Sequence, residues 1–357
     1  MDEHLFLSTT PGLEPVLLAE ARRLGVARRV EGGVELTGPR GLHRKANLWL
    51  RTASRVQLRL GDLPAGDARA LEAGLARVPL EAVRRPGAPV RLEATARGAI
   101  REREALAIAR RVWGASAGEG PTILLRIENA RCTVSVDTSG ELLYRRGWRQ
   151  EISRAPLRET LAVGLLLLAG YDGHEPLWDP VCGSGTIATE AASLAVGRAP
   201  GFLRAFAFER WPSLDASAWR REREAAAGEP APTERIWASD LNAGALGTAR
   251  RNAGRAGLAG AIEFFRHDAR APWPGAPPHG LLVANLPYGK RVGEDVATLY
   301  RELGTAFRRL PGWRVALLVA APQAERWLRL EPRNAVPLQN GGIRCRLLLG
   351  APGCFGL

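Results

Sequence analysis

Residues 177 to 196, Leu-Trp-Asp-Pro-Val-Cys-Gly-Ser-Gly-Thr followed by Ile-Ala-Thr-Glu-Ala-Ala-Ser-Leu-Ala-Val, constrain the chain more than any other stretch. They read as a short apolar strand, a tight turn and a helix that begins near Thr186. Asp179 stands at the carboxyl end of the strand, where open α/β sheets take nucleotide-like ligands. The Gly183-Ser184-Gly185 turn lets the backbone come close to a bound group. No Gly-Lys-Thr or Gly-Lys-Ser ending follows, which argues against a P-loop. The third glycine of the dinucleotide fingerprint is also missing.

A carboxylate at the strand end repels a pyrophosphate and suits a cation. S-adenosylmethionine carries a sulfonium and an ammonium and no phosphate, so it fits better than a dinucleotide. A second stretch points the same way. Gly280-Leu-Leu-Val-Ala-Asn285-Leu286-Pro287-Tyr288-Gly289 is another buried strand, ending in Asn, Pro and Tyr. That order resembles the (Asn/Asp)-Pro-Pro-(Tyr/Phe) motif of methyltransferases that act on exocyclic amino groups.

From Ala155 onward, helix and strand alternate, the pattern of a parallel sheet. Leu157 to Leu168 forms a helix, and Arg235 to Asp240 is the second strand of the sheet, followed by a helix over Asn242 to Gly257. Ala261 to Phe265 is the third strand, ending near His267 and Asp268. The Asn285 strand is the fourth, with a helix from about Asp295 to Leu310, and Val315 to Val319 is the fifth. Ala335 to Leu338 and Cys345 to Leu349 form a hairpin about Asn340-Gly341-Gly342.

Asp240 at its strand end can accept hydrogen bonds from both hydroxyls of a ribose. Asp268 can accept from an adenine amino group. Either could instead cap a helix, but three acids at three consecutive strand ends beside a glycine turn favour a ligand site. Asp240 follows Asp179 by far more than the roughly 20 residues of a compact unit, so residues 200 to 234 read as an insertion. Cys182 reads as a small residue packed under a ligand, since methyl transfer to an amine needs no covalent intermediate.

The amino half is a series of short strands and helices. Strands are expected at His4 to Thr9, Gly32 to Gly38, Arg55 to Leu60, Val90 to Ala94, Thr122 to Ile127 and Cys132 to Asp137. Helices are expected at Leu13 to Leu24, Leu42 to Leu50, about Ala68 to Ala76 and Arg101 to Trp113. This half holds no catalytic constellation, which leaves binding as its role. The segment Arg145 to Arg154 has two readings. Arg145, Arg146, Arg149 and Arg154 interleave with Trp148 as phosphate contacts and a stacking ring would, or the segment is an interdomain strap with Trp148 in the core.

The formal net charge of +13 favours a polyanionic partner. Lysine occurs only at Lys45 and Lys290; codon bias explains arginine replacing lysine but not the excess of bases over acids. The four cysteines, Cys132, Cys182, Cys345 and Cys354, lack the spacing of a disulfide framework or a zinc site, so no metal is expected. No segment approaches the ~20 apolar residues of a membrane span. The start, Met-Asp-Glu-His, lacks the basic region of a secretory signal, so a cytoplasmic location is expected.

On these residues the chain resembles the THUMP-domain class I RNA methyltransferases, near the bacterial 23S rRNA and tRNA enzymes that make N2-methylguanosine. The specific pieces are Asp179-Pro-Val-Cys-Gly-Ser-Gly-Thr-Ile, Ala155-Pro-Leu-Arg-Glu-Thr, Phe206-Ala-Phe-Glu-Arg-Trp, Ser239-Asp240, Asn285-Leu-Pro-Tyr-Gly, Val134-Ser-Val-Asp-Thr-Ser-Gly and Tyr144-Arg-Arg-Gly-Trp-Arg. Two features depart from the family: Leu286 stands where the family usually has a proline in addition to Pro287, and Gly98 to Glu104 fits loosely.

The resemblance implies a ferredoxin-like domain over 1–60, a THUMP RNA-binding domain over 61–150 and a Rossmann-like, seven-stranded α/β methyltransferase domain over 155–357. It implies S-adenosylmethionine held by Asp179, Cys182, Gly183, Ser184, Gly185, Thr186, Asp240 and Asp268. Asn285, Pro287 and Tyr288 would hold the guanine. Adenine-N6 methylation is a rival, because the same motif serves both amines. A catalytically decayed RNA-binding assembly factor is a second.

Overall fold

The computed structural model describes residues 2–114, 120–151, 157–228, 234–273, 275–287, 295–351 and 353–354. In chain order its elements are β1 (Glu3–Thr9), α1 (Glu14–Ala21), β2 (Val26–Val30), β3 (Gly33–Gly38), α2 (Leu42–Trp49), β4 (Ala53–Pro64), α3 (Ala68–Leu75), β5 (Arg91–Arg97), α4 (Glu102–Trp113), β6 (Thr122–Glu128) and β7 (Arg131–Asp137). There follow α5 (Glu159–Leu168), β8 (Leu177–Asp179), α6 (Thr186–Ala195), α7 (Ala216–Glu224), β9 (Ile236–Asp240), α8 (Ala243–Arg255), β10 (Ile262–Arg266) and β11 (Gly280–Asn285). The last are α9 (Val296–Phe307), β12 (Trp313–Val319), α10 (Ala324–Leu328), β13 (Asn334–Asn340) and β14 (Ile343–Gly350). They divide into two compact units.

The first unit comprises Met1–Thr9, Leu17–Leu143 and Arg204–Ala225. Its seven strands form one sheet in the order β2-β3-β1-β4-β7-β6-β5. Strand β4 joins the sheet's halves, with Leu58 opposite Leu5 of β1 on one side and Val136 of β7 on the other. The expected domain boundary at 60/61 therefore falls inside β4, at an irregularity between Arg59 and Gly61. The amino half is continuous in its hydrogen bonding, so one strand runs from the first expected domain into the next. Strand β2 was not among the expected elements. Its Val-Ala-Arg-Arg-Val sequence has no apolar face of its own, and it exists as an edge strand because β3 pairs with it.

The motif Val134 to Gly140 closes one end of this sheet. Ser139 Oγ accepts from the Val56 amide at 2.9 Å and donates to Asn47 Oδ1 at 2.7 Å, while Asn47 Nδ2 donates to Thr138 Oγ1 at 2.6 Å. The insertion expected over 200–234 contributes Arg204–Ala225 to this unit. Phe206 and Phe208 stack at 5.3 Å, Trp219 meets Phe208 edge-on at 4.9 Å, and His43 contacts Phe208 and Trp211. Buried Arg204 donates to the carbonyls of Leu142 (2.8 Å), Ser139 (3.1 Å) and Glu141 (2.7 Å).

The second unit comprises Thr10–Val16, Tyr144–Leu203 and Ala226–Leu357. Its sheet runs β10-β9-β8-β11-β12-β14-β13, with the first five strands parallel and the final hairpin antiparallel. Both faces are covered, so the central strands β8 and β11 are largely apolar up to their terminal Asp179 and Asn285. Leu177, Ile236, Leu281 and Val283 face a core shared with α5, α6 and α8. Their neighbours Trp178, Trp237, Leu282 and Ala284 face a second core with α9 and α10. The chain reverses direction across the sheet at β8, which places a crevice at its carboxyl end.

Truncating Arg204 leaves three backbone carbonyls without a cationic donor. Hydrogen bonds to a charged group contribute about 1.5–3 kcal/mol each. Arg204→Ala is therefore expected to destabilise the protein by at least about 2 kcal/mol, read as a lower urea midpoint at unchanged slope.

Candidate active site

Asp179, Asp240 and Asn285 end β8, β9 and β11, and Asp268 lies just beyond β10. In the register, Leu177 faces Leu281, Asp179 faces Ala238 and Arg266 faces Asp240. The four residues thus lie along one carboxyl edge of the parallel sheet.

Asp179 is 1% exposed, and neither of its carboxylate oxygens has a hydrogen-bond partner among the described residues. Burial pushes its carboxyl well above the ordinary range, and the nearby Asp240 charge adds to the shift. The Val181 amide offsets part of this without completing a hydrogen bond. A buried anion left in this state is costly unless a cation faces it.

The turn is tied to β9. Asp240 Oδ2 accepts from the Gly183 amide and Oδ1 from the Asn242 amide, both at 2.9 Å. Helix α8 is capped by Asn242, so Asp240 is not its N-cap. Ser239 adds two fastenings, its carbonyl accepting from the Cys182 amide at 2.9 Å and its hydroxyl from Trp178 Nε1 at 3.0 Å. Asn252 of α8, fully buried, donates to the Ser184 carbonyl at 3.2 Å. Asn252 was not an expected site residue, although a polar side chain on the apolar face of a helix is the signal that could have found it.

The two glycines of the turn differ. Gly183 has φ +53°, and a Cβ there would meet nothing within 4 Å, so the turn faces open space. Gly185 has φ +79°, and its Cβ would lie 2.8 Å from Ala249 Cβ. Gly185 therefore serves the approach of α8. Ser184 and Thr186 are buried, their hydroxyls 3.5 Å apart. Cys182 is buried too, and burial, with the Asp179 and Asp240 charges behind it, pushes its thiol well above the ordinary range. A thiol so held is a packing group and a poor nucleophile.

Asp268 is held by Arg270, whose guanidinium donates to it at 2.8 Å and keeps its carboxyl below the usual range. Arg270 also reaches Glu302 at 3.2 Å. At the end of β11, the Asn285 Oδ1 atom is buried without a partner among the described residues. Leu286 donates its amide to the Leu318 carbonyl at 3.1 Å, a bond that a proline could not make. The Pro287 carbonyl accepts from Tyr300 Oη at 3.2 Å. Tyr288 lies outside the described residues, as does Arg154.

Of the two readings of the segment at 145–149, the structure takes the second for Trp148, which packs in the core, and corrects the first for Arg146 and Arg149. Arg146 is 2% exposed and faces Glu190 at 3.4 Å, and Trp148, 5% exposed, packs into the core with α5 and α6. Arg149 donates to the Leu157 carbonyl at 2.6 Å and pairs with Glu159, whose carboxyl burial pushes up to about 7. Arg154 aside, the expected nucleic-acid contacts are Arg145, Arg146, Trp148 and Arg149, and of these only Arg145 is exposed. Arg146 and Arg149 turn inward because the buried carboxylates of α6 and α5 require counter-charges, and Trp148 is a core residue.

Among the described residues no cluster of His, Cys, Asp or Glu is placed to hold a metal, and no helix is long and apolar enough to cross a membrane.

Residues 146–348 match the family model described as RMKL-like, methyltransferase domain (UPF0020), and residues 4–57 match the RlmL ferredoxin-like domain. The ribosomal RNA large subunit methyltransferase K/L of Psychromonas ingrahamii is 33% identical, over 96% of this chain and 49% of that protein. The chain thus spans about half the length of that relative. A Synechocystis sp. protein provisionally named an RNA methyltransferase is 30% identical over 96% of this chain and 95% of its own. The crystal structure of SMU.472, a provisionally assigned methyltransferase complexed with SAH, is 27% identical and superposes with a TM-score of 0.87 over 98% of both chains.

The contrast between the glycines is testable by stability. Gly183→Ala is expected to cost about 1–2 kcal/mol, the strain of a left-handed backbone. Gly185→Ala adds overpacking worth about 1–3 kcal/mol. Urea titration should rank Gly185→Ala clearly below Gly183→Ala.

Proposed function

Since the chain belongs to the family of RMKL-like methyltransferase domains, we propose that it transfers a methyl group from S-adenosylmethionine to the exocyclic N2 amine of a guanosine in structured RNA, with 23S ribosomal RNA as substrate. The observation that carries this reading is the pair of groups on adjacent strands without a partner among the described residues: Asp179, a buried carboxyl suited to a cation, and Asn285 Oδ1, a buried acceptor suited to an amine. The large-subunit ribosomal RNA named for the Psychromonas relative supports the choice of RNA.

The donor fits the residues present. Asp179 would hold its ammonium, Asp240 its ribose hydroxyls and Asp268 its adenine amine, while the open face of Gly183 leaves room beside the turn. S-adenosylmethionine supplies a methyl group made electrophilic by its sulfonium. The protein's own work is placement. Guanosine enters unpaired, because its N2 amine is engaged within a helix. The Asn285 Oδ1 atom and the Pro287 carbonyl accept the two amine hydrogens, which leaves the nitrogen lone pair directed out of the base plane. Tyr288 supplies the stacking face. Positioning of this kind can be worth roughly 7–11 kcal/mol. No strong base is required beforehand, as the proton leaves after the bond to nitrogen has formed.

Asn285→Ala is expected to abolish methyl transfer while leaving S-adenosylmethionine affinity nearly intact, and Asp240→Ala to weaken cofactor binding first. Nucleoside mass spectrometry of treated RNA checks the product. N6-methyladenosine in place of N2-methylguanosine would overturn the assignment.

Asp179 adds a pH dependence. Its raised pKa means that without a cation it keeps a proton at pH values where a surface aspartate is ionised. A cation binds the ionised form and expels that proton. Affinity for S-adenosylmethionine should therefore strengthen as pH rises through the raised pKa and weaken below it. Calorimetry across buffers of rising pH should show this for the wild type and a flat, weak response for Asp179→Asn.

A further inference from the structure

The first strands of the amino unit carry one side chain that packing does not explain. In β1, β3 and β4, Leu5, Leu7, Val34, Leu36 and Val56 alternate into the core and are buried, on the face that carries α2. Pairing puts the intervening residues on the opposite face. Arg28 of β2 stands opposite Glu35 of β3, Glu35 opposite Phe6 of β1, and Phe6 opposite Gln57 of β4. No residue of that row is buried.

An antiparallel sheet with one solvated face is normally polar on it, and Phe6 lies in the middle of such a face. Around it the register places Thr37 and Gly33 on β3, Arg55 and Arg59 on β4, and His4 and Ser8 along β1. None of these offers an aliphatic or aromatic partner that would make Phe6 part of a core. The ring tip lies over Gly33, where a Cβ would come 3.3 Å from Phe6 Cζ. The Arg59 guanidinium stands 5.7 Å from the ring centroid. Glu35 pairs with Arg59, at 2.8 Å, and also with Arg28, so positive charge exceeds negative beside the ring. Arg59 Nε has no hydrogen-bond partner among the described residues.

A half-exposed ring among guanidiniums is how an open sheet takes an unpaired nucleotide, the ring stacking on the base and the cations meeting phosphate. A protein partner would call for a wider apolar patch than one ring provides. We infer that this face of the first unit, centred on Phe6, binds a single-stranded stretch of the RNA substrate, with Phe6 stacked on a base and Arg28 and Arg59 on adjoining phosphates. This rests on the reading of RNA as the substrate given above, and not on the roles assigned to Asn285 or Asp179. Every base has a stacking face, so the contact selects unpaired over paired RNA and not one base over another.

The test is the affinity of the full chain for a fluorescein-labelled single-stranded RNA, read by anisotropy at fixed salt, and for a duplex of the same sequence. Phe6→Leu keeps an apolar side chain and removes the ring; it is expected to weaken single-strand binding about tenfold, the order of one lost stacking contact. Phe6→Tyr, which keeps the ring, should stay within twofold of wild type. Duplex affinity and the S-adenosylmethionine Kd should be unchanged in both. Arg59→Gln should lower the slope of log affinity against log salt by about 0.7, the share of one phosphate on a single strand. Wild-type single-strand affinity in Phe6→Leu overturns the inference. So does a parallel loss of single-strand, duplex and cofactor affinity, which would mark a merely structural role. If the wild type binds neither RNA, the reading of RNA as the substrate fails; if it binds the single strand and Phe6→Leu changes nothing, only the assignment of this face fails.

Discussion

A carboxylate buried at the carboxyl end of a central parallel strand, with no hydrogen bond to either oxygen, sets the terms for the second unit. Asp179 is buried and completes no hydrogen bond with the turn that follows it. Leaving it so is unfavourable for folding. The surrounding residues do little to relieve it: the Val181 amide offsets only part of the shift, Gly183 and Asn242 direct their amides to Asp240, and Arg270 goes to Asp268. The arrangement makes sense as a site whose missing partner is a cation.

Two other buried carboxylates meet the same difficulty differently. Glu159 and Glu190, on α5 and α6, draw in Arg149 and Arg146 from the strap. These arginines are fixed by the needs of the core, and the strap that a sequence reader takes for a nucleic-acid contact is also a set of counter-ions. In the first unit β4 has a comparable central role. It pairs on both sides, so the ferredoxin-like start and the strands that follow share one sheet.

Much of the parallel sheet was legible because β8, β9 and β11 are largely apolar runs that end at Asp179, Asp240 and Asn285, and the longer helices are local periodicities. Thr186 opens α6 and Asp295 caps α9, as local chemistry required. Strand β2 was not legible, because an edge strand with Arg28 and Arg29 in its middle takes its conformation from β3. Helix α10, five residues long, gave no periodicity to read. Within the site, the acids and Asn285 could be named from their positions at strand ends. The partners of Ser239 and Asn252 could not, since each contact joins residues far apart in the chain.

What the sequence determined by itself was chemical and local: glycines where the backbone must turn with positive φ, acids and an asparagine at the ends of apolar runs, and too little lysine for its arginine content to be read from charge alone. What only the tertiary structure decided was which ends are neighbours and which groups lose water. Strand β11 lies beside β8 although β9 and β10 intervene in the chain, and that order is set by crossover connections and packing on both faces. Burial then separates Asp179 from Asp268, two carboxylates alike in sequence, because desolvation and counter-charge depend on neighbours that the chain supplies from a distance.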